Sequence, residues 1–100
     1  MEIPQAIKEK KLLTFRYDGH PRTVEPHTYG IDEKDQKALC AYQVRGSSRS
    51  GEYRGWKTFH LTKMSSVVVS SESFASARPG YKRNDRGFKT IFAQLQGPAT

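Results

Sequence analysis

The spacing of apolar residues changes twice along this chain, and each change marks a different kind of element. Ile3, Ala6, Ile7 and Lys10 recur at three- and four-residue intervals, and Pro4 is tolerated in a first turn, so residues 3 to 11 are predicted to form a short amphipathic helix. From Leu12 to Tyr17 the pattern becomes alternation, with Leu13, Phe15 and Tyr17 on one strand face. Asp18-Gly19 is a strong reversal signal. A second strand follows from Arg22, is interrupted near Pro26 and resumes through residues 28 to 31. The polar cluster from Asp32 to Gln36 reads as a solvated turn.

Ala38 to Val44 is compact and apolar enough for a central strand, and the Gly/Ser-rich stretch from Gly46 to Gly51, with Arg49 inside it, reads as a flexible loop. From Trp56 to Met64, Phe59 and Leu61 alternate with Thr58, His60 and Thr62, and Val67-Val68-Val69 supplies a further β-branched run. Five short strands joined by brief turns predict a closed barrel or a small rolled sheet. Residues 70 to 83 have no clear period, and Arg78-Pro79-Gly80 reads as a turn or linker. Phe88, Ile91, Phe92 and Leu95 then fall at i, i+3, i+4 and i+7, with Asn84 or Asp85 as a cap and Gly97-Pro98 as a stop, so a second helix is predicted at the carboxy end.

Composition narrows the class. One hundred residues with 35% hydrophobic content and 11% aromatics fill one small core without disulfides. No apolar run reaches the length of a membrane span and Met1-Glu2-Ile3-Pro4 lacks the pattern of a signal peptide, which predicts an intracellular, cytoplasmic protein. Cys40, a single cysteine in an apolar run, reads as a small buried side chain. There is no paired-acid motif, no phosphate-cradling glycine loop and no Cys/His spacing for zinc, and His20, His27 and His60 come from separate segments without a metal motif. Binding without catalysis, metal or cofactor is the expectation. The net charge of +7 is unevenly placed: residues 1 to 36 hold six Lys/Arg against seven Asp/Glu, and residues 37 to 100 hold eleven against three. Such a field draws polyanions without choosing among them.

The order of several segments resembles the WYL domain family. The likeness runs over residues 3 to 74: the helix with Ala6-Ile7, Leu13-Thr14-Phe15-Arg16-Tyr17, Arg22-Thr23-Val24-Glu25-Pro26, Leu39-Cys40-Ala41-Tyr42, and the run from Phe59 to Met64 followed by valines and Phe74. The positions that give the family its name read Lys37-Ala38-Leu39 here, so its tryptophan and tyrosine are absent, and His60 and Lys63 stand where the family tends to carry arginines. The resemblance implies a mainly β fold, a small five-stranded Sm-like β-barrel over residues 1 to 74 with a short N-terminal helix. Residues 75 to 100 would add a basic linker and a C-terminal amphipathic helix packed on the barrel or on a second subunit. It also implies a sensory module for a nucleotide or single-stranded nucleic acid in bacterial transcription regulation. Too few residues precede the barrel for a helix-turn-helix, so a separate DNA-binding regulator is the implied partner.

Candidate site residues follow from both readings. Arg22, just past the turn, stands where the resemblance places a basic ligand contact, with an exposed arginine paired to Glu25 or Asp18 as the plain alternative. His60 and Lys63 are the other phosphate candidates, expected to meet Arg22 at one end of the barrel. Tyr17, Tyr42, Tyr53 and Trp56 interleave with Arg16, Arg45, Arg49 and Arg54, a composition suited to stacking bases while cations hold the backbone. The basic run from Tyr81 to Arg86 would extend that track or solubilise a helix start. A second reading is a protein-interaction module that self-associates through Phe88, Ile91, Phe92 and Leu95, without a nucleic-acid role.

Overall fold

The computed structural model describes residues 2–48, 51 and 53–96. Arg49 and the Gly97-Pro98 stop signal lie outside the described residues. Helix α1 (Glu2–Glu9) leads into β1 (Lys11–Tyr17), β2 (His20–Asp32), β3 (Lys37–Gly46) and β4 (Gly55–His60). A 3-10 turn (Leu61–Lys63) then leads to β5 (Met64–Ser73), and β6 (Phe88–Gln94) follows an irregular segment. No helix among the described residues is long and apolar enough to cross a membrane.

The β1–β2 hairpin forms as the sequence predicts. Asp18 and Gly19 take φ values of 53° and 76° and Tyr17 pairs with His20, a two-residue turn whose backbone twist matches that of the strands it joins. Pro26 does not break β2. Pro26 faces Ala41 and Thr28 faces Cys40, so His27 is an extra residue in the ladder, a β-bulge at which a proline without an N–H is tolerated. The bulge also resets the alternation. Val24 and Tyr29, five residues apart, share the face that carries Leu13, Phe15, Leu39 and Phe59, called here the inner face.

All pairings are antiparallel, in the order β4-β3-β2-β1-β5, with β6 added on β2. Three strand spacings separate β4 from β1, about 14 Å in a flat sheet. Yet the Phe59 ring lies 4.9 Å from Phe15 and 5.0 Å from Tyr17, both edge-on, so the sheet curls strongly around its inner face. The expected barrel is nevertheless wrong. β4 and β5 form no ladder with each other, and the sheet stays open with six strands instead of five. Helix α1 lays Ile3, Ala6 and Ile7 into the core beside Leu13, Val24 and Leu95.

The C-terminal helix is the second correction. Residues 88–94 are β6, because β1 covers the edge of β2 only as far as Val24 and leaves Thr28 to Asp32 in need of a partner. Ala93 pairs with Tyr29 and packs with Leu95 on the core, while Phe92 is 50% exposed with its ring 5.4 Å from that of Tyr29, so Phe88, Ile91, Phe92 and Leu95 do not form a helical stripe. Gly30 makes the close approach possible: a Cβ there would meet the Thr90 carbonyl oxygen at 2.0 Å. Gly30→Ala should therefore cost about 2 kcal/mol or more in urea unfolding and deprotect the amides of residues 88–94 to hydrogen exchange ahead of those of β3. Equal protection in both proteins would show that β6 does not depend on this approach.

Candidate functional site

The three residues expected to converge on phosphate do not. Arg22 projects from the inner face opposite Phe15, whereas His60, one residue past inward Phe59, projects from the outer face. His60 Nε2 lies 3.4 Å from Asp32 Oδ2, which sets a carboxylate where an anion was expected. Asp32 is held below its ordinary value, first by the Gln36 N–H, which with that of Lys34 donates to Oδ1 at 2.9 Å. Lys63 is exposed on the 3-10 turn.

The aromatic candidates are also divided. Tyr17 stays on the inner face, its ring against Phe59 and its hydroxyl accepting the His60 N–H at 3.2 Å. Tyr42 and Trp56 meet edge to face at 5.6 Å on the outer face, with the Arg78 guanidinium 4.7 Å from the Tyr42 ring and Arg54 on the same ring at 5.8 Å. Trp56 Nε1–H donates to the Pro79 carbonyl at 2.9 Å. These rings hold a covering segment in place and do not form a stacking platform. Arg45 is exposed and paired with Glu72 at 2.5 Å, and Tyr53 is exposed at 43%.

The covering segment is residues 74–87, expected from the sequence as a linker through Arg78-Pro79-Gly80 and a basic run from Tyr81 to Arg86 at a helix start. Glu25, 6% exposed, accepts two bonds from Arg78, Nε to Oε1 at 2.8 Å and Nη2 to Oε2 at 3.0 Å. That fork raises the Arg78 pKa, and it answers a buried carboxylate fully. Between this segment and the strands lies a cleft of about 250 Å³ lined by Cys40, Trp56, Tyr81, Lys82 and Asp85 among others. Cys40, expected to be buried, is half-buried in this cleft, and burial first, then the Asp85 charge, pushes its thiol up to about 11.

Arg22 is different. It is only 6% exposed, its Nη1–H donates to Gln43 Oε1 at 3.1 Å, and its Nε–H is buried with no partner. No carboxylate among the described residues forms an ion pair with it. The guanidinium carbon sits 5.6 Å from the centres of both the Tyr17 and Phe59 rings. Burial pulls its pKa down, against the Asp18 charge acting upward. Gln43 is kept in position by its own amide, which donates to the carbonyls of Arg45 and Ser47 at 3.1 and 3.3 Å. At the nearby hairpin end, His20 Nδ1 lies 3.1 Å from Ser47 Oγ. The alternative pairing of Arg22 with Glu25 fails because Glu25 faces outward to Arg78.

His27 was missed as anything but one of three histidines, although the bulge signal at Pro26 marks its position. It is fully buried, ringed by Trp56, Phe74 and Tyr81. Its Nδ1 lies 2.7 Å from the Glu25 carbonyl, which can only accept, and its Nε2 takes the Arg78 N–H at 3.1 Å, which can only donate. The ring is thereby fixed as the neutral Nδ1–H tautomer.

No protein-family model, curated protein or solved structure matches this chain. The geometry alone defines a small mainly β domain with an unpaired cation on its inner face and a paired one on its outer face.

Protonating His27 removes the acceptor for the Arg78 amide and adds a positive charge beside the Arg78 guanidinium, with only Glu25 to offset it. Burial lowers the His27 pKa below 6.5, so on acidification the unfolded chain takes up this proton first. Stability should be constant above that value and fall as pH drops below 6.5 and through the lower folded value. Urea midpoints measured from about pH 7.5 to about pH 5 should fall less steeply for His27→Gln than for the wild type. Parallel slopes would place the acid sensitivity elsewhere.

Proposed function

We propose that the protein is a binding module for a small phosphate-bearing ligand of nucleotide size, with Arg22 as the principal anion contact and the Tyr17 hydroxyl as a second donor. The observation that carries this reading is the enclosed guanidinium with an orphaned Nε–H and no carboxylate. An unpaired buried charge is costly in a fold that gains nothing from it, and buried polar groups without partners are rare enough to require a cause. Tyr17 accepts from the His60 amide, and its own hydrogen has no acceptor among the described residues, so it is free to donate to the same anion. A net charge of +7 favours encounter with anions.

The reading keeps the ligand-sensing role that the WYL-like order of residues implies and moves the site away from His60 and Lys63. A nucleotide is favoured over a continuous single strand because the cation is enclosed and because Tyr42 and Trp56 are packed beneath Arg78 and Pro79. A strand needs an open row of rings and cations.

Thermal unfolding with inorganic phosphate and with adenosine monophosphate, at about 20 mM and about 200 mM salt, tests this directly. Ligand at a hundredfold excess over Kd should stabilise the wild type by about 2.7 kcal/mol, with a smaller effect at high salt. Arg22→Met should keep or raise the melting temperature without ligand and lose the ligand shift, and Tyr17→Phe should weaken binding several-fold. A wild type indifferent to both compounds, or a folded Arg22→Met that retains the shift, would overturn the assignment. Loss of stability in Arg22→Met together with an unresponsive wild type would make the guanidinium a packing element.

A further inference from the structure

β6 pairs with β2 along one edge, and no strand among the described residues pairs with its other edge. Natural edge strands are normally blocked by charge, proline or brevity. Here residues 90–95, Thr-Ile-Phe-Ala-Gln-Leu, contain neither a charge nor a proline, and Lys89, the preceding residue of the strand, is tied to Asp35 at 2.6 Å. Alongside this edge runs a groove of about 400 Å³. One wall is α1 and its end, through Pro4, Ile7, Lys8 and Lys10; the other is all six consecutive residues 91–96.

That consecutive lining is informative. Side chains of neighbouring strand residues point to opposite faces, so a groove that touches each of the last four residues of β6, 91–94, and the two that follow runs along the backbone edge. β6 pairs with β2 through Phe88, Thr90, Ile91, Ala93 and Gln94, with register shifts at Lys89 and Phe92, and the backbone groups not turned to β2 are those that an added strand would meet. Phe92, 50% exposed, adds an apolar contact beside them.

We infer that this groove takes an extended acidic peptide segment, which adds to β6 as a further strand. Charge selects the occupant: among the described residues lining the groove the ionisable ones are Lys8 and Lys10, the latter also donating to the Ala75 carbonyl at 3.3 Å, and none is a carboxylate. A second copy of this chain is a poorer fit, because a two-fold seam on β6 would bring the same two lysines together from both subunits of a chain with net charge +7. Main-chain hydrogen bonds supply affinity in such an addition and the alternate side chains supply selection. The site is independent of Arg22.

Fluorescence anisotropy with a labelled eight-residue peptide of alternating valine and glutamate tests the inference. The expected result is saturable binding, at least tenfold weaker for the valine–lysine counterpart and several-fold weaker for Lys8→Glu protein. N-methylation of alternate peptide bonds keeps the charge and removes the edge donors, and it should abolish binding. Hydrogen exchange should show new protection in residues 91–96 with peptide bound. Failure of the acidic peptide to bind at millimolar concentration, or equal binding of the N-methylated peptide, would overturn the proposal. So would a protein whose mass doubles by light scattering and whose β6 amides are protected before any peptide is added.

Discussion

The backbone of β2 has to be paired along both edges over thirteen residues, and seven in succession from Val24 to Gly30 are buried. β3 meets that demand on one side for nearly the full length. On the other side β1 ends its register at Val24, and a buried peptide group left without a partner costs about 1–3 kcal/mol. β6 closes this deficit from Thr28 to Asp32, and the Leu95 N–H continues to the His27 carbonyl at 2.9 Å. Once β6 is fixed there, the chain between β5 and β6 must cross the outer face. That crossing places Arg78 over Glu25 and Tyr81 where its hydroxyl donates to the Leu95 carbonyl at 2.6 Å. The C-terminal structure is thus set by an edge in the middle of the chain.

Local signals carried the first half of the molecule and non-local ones the second. Helical spacing in Ile3, Ala6 and Ile7, alternation in Leu13, Phe15 and Tyr17, and the Asp18-Gly19 reversal each depend on neighbours a few residues apart, and all appear as read. The helix spans Glu2–Glu9 where residues 3 to 11 were expected, because Lys10 takes φ 55° and leads directly into β1. Phe88, Ile91, Phe92 and Leu95 satisfy helical spacing, while Ile91, Ala93 and Leu95 satisfy alternation equally well. The vacant edge of β2, sixty residues away in sequence, decides between them. Gly30 was the readable clue, since a glycine inside a strand pattern often marks close approach of another backbone. Five strands and short turns suited a barrel, but closure needs a β4–β5 ladder, which no local pattern in either strand specifies.

At the candidate site, residue type was legible and facing was not. Arg22 and His60 are each reasonable phosphate ligands by chemistry. Their separation depends on which side of a strand each occupies, fixed by the Phe15–Arg22 and Ala38–His60 pairings. Three of the eleven cations in residues 37 to 100 are taken up in separate contacts: Arg45 with Glu72, Arg78 with Glu25, Lys89 with Asp35. Charge counted along a sequence therefore overstates the continuity of charge on a surface.

Two arginines in this one small sheet bound what burial of a guanidinium requires. Arg78 is a third exposed and has two charge-assisted bonds to Glu25, and its charge is reinforced. Arg22 is more deeply enclosed, has one neutral acceptor and two aromatic neighbours, and its charge is opposed by its surroundings. Contacts with two ring faces recover about 1–2 kcal/mol each when desolvated, which does not replace a hydrogen-bonded anion for a group whose full donor set is five. No carboxylate among the described residues pairs with Arg22, and Gln43 is held by two bonds from its amide to the Arg45 and Ser47 carbonyls. On the proposed reading an anionic ligand supplies the acceptor that Gln43 and the two rings do not, and this need separates Arg22 from Arg78, whose acceptor the fold itself provides.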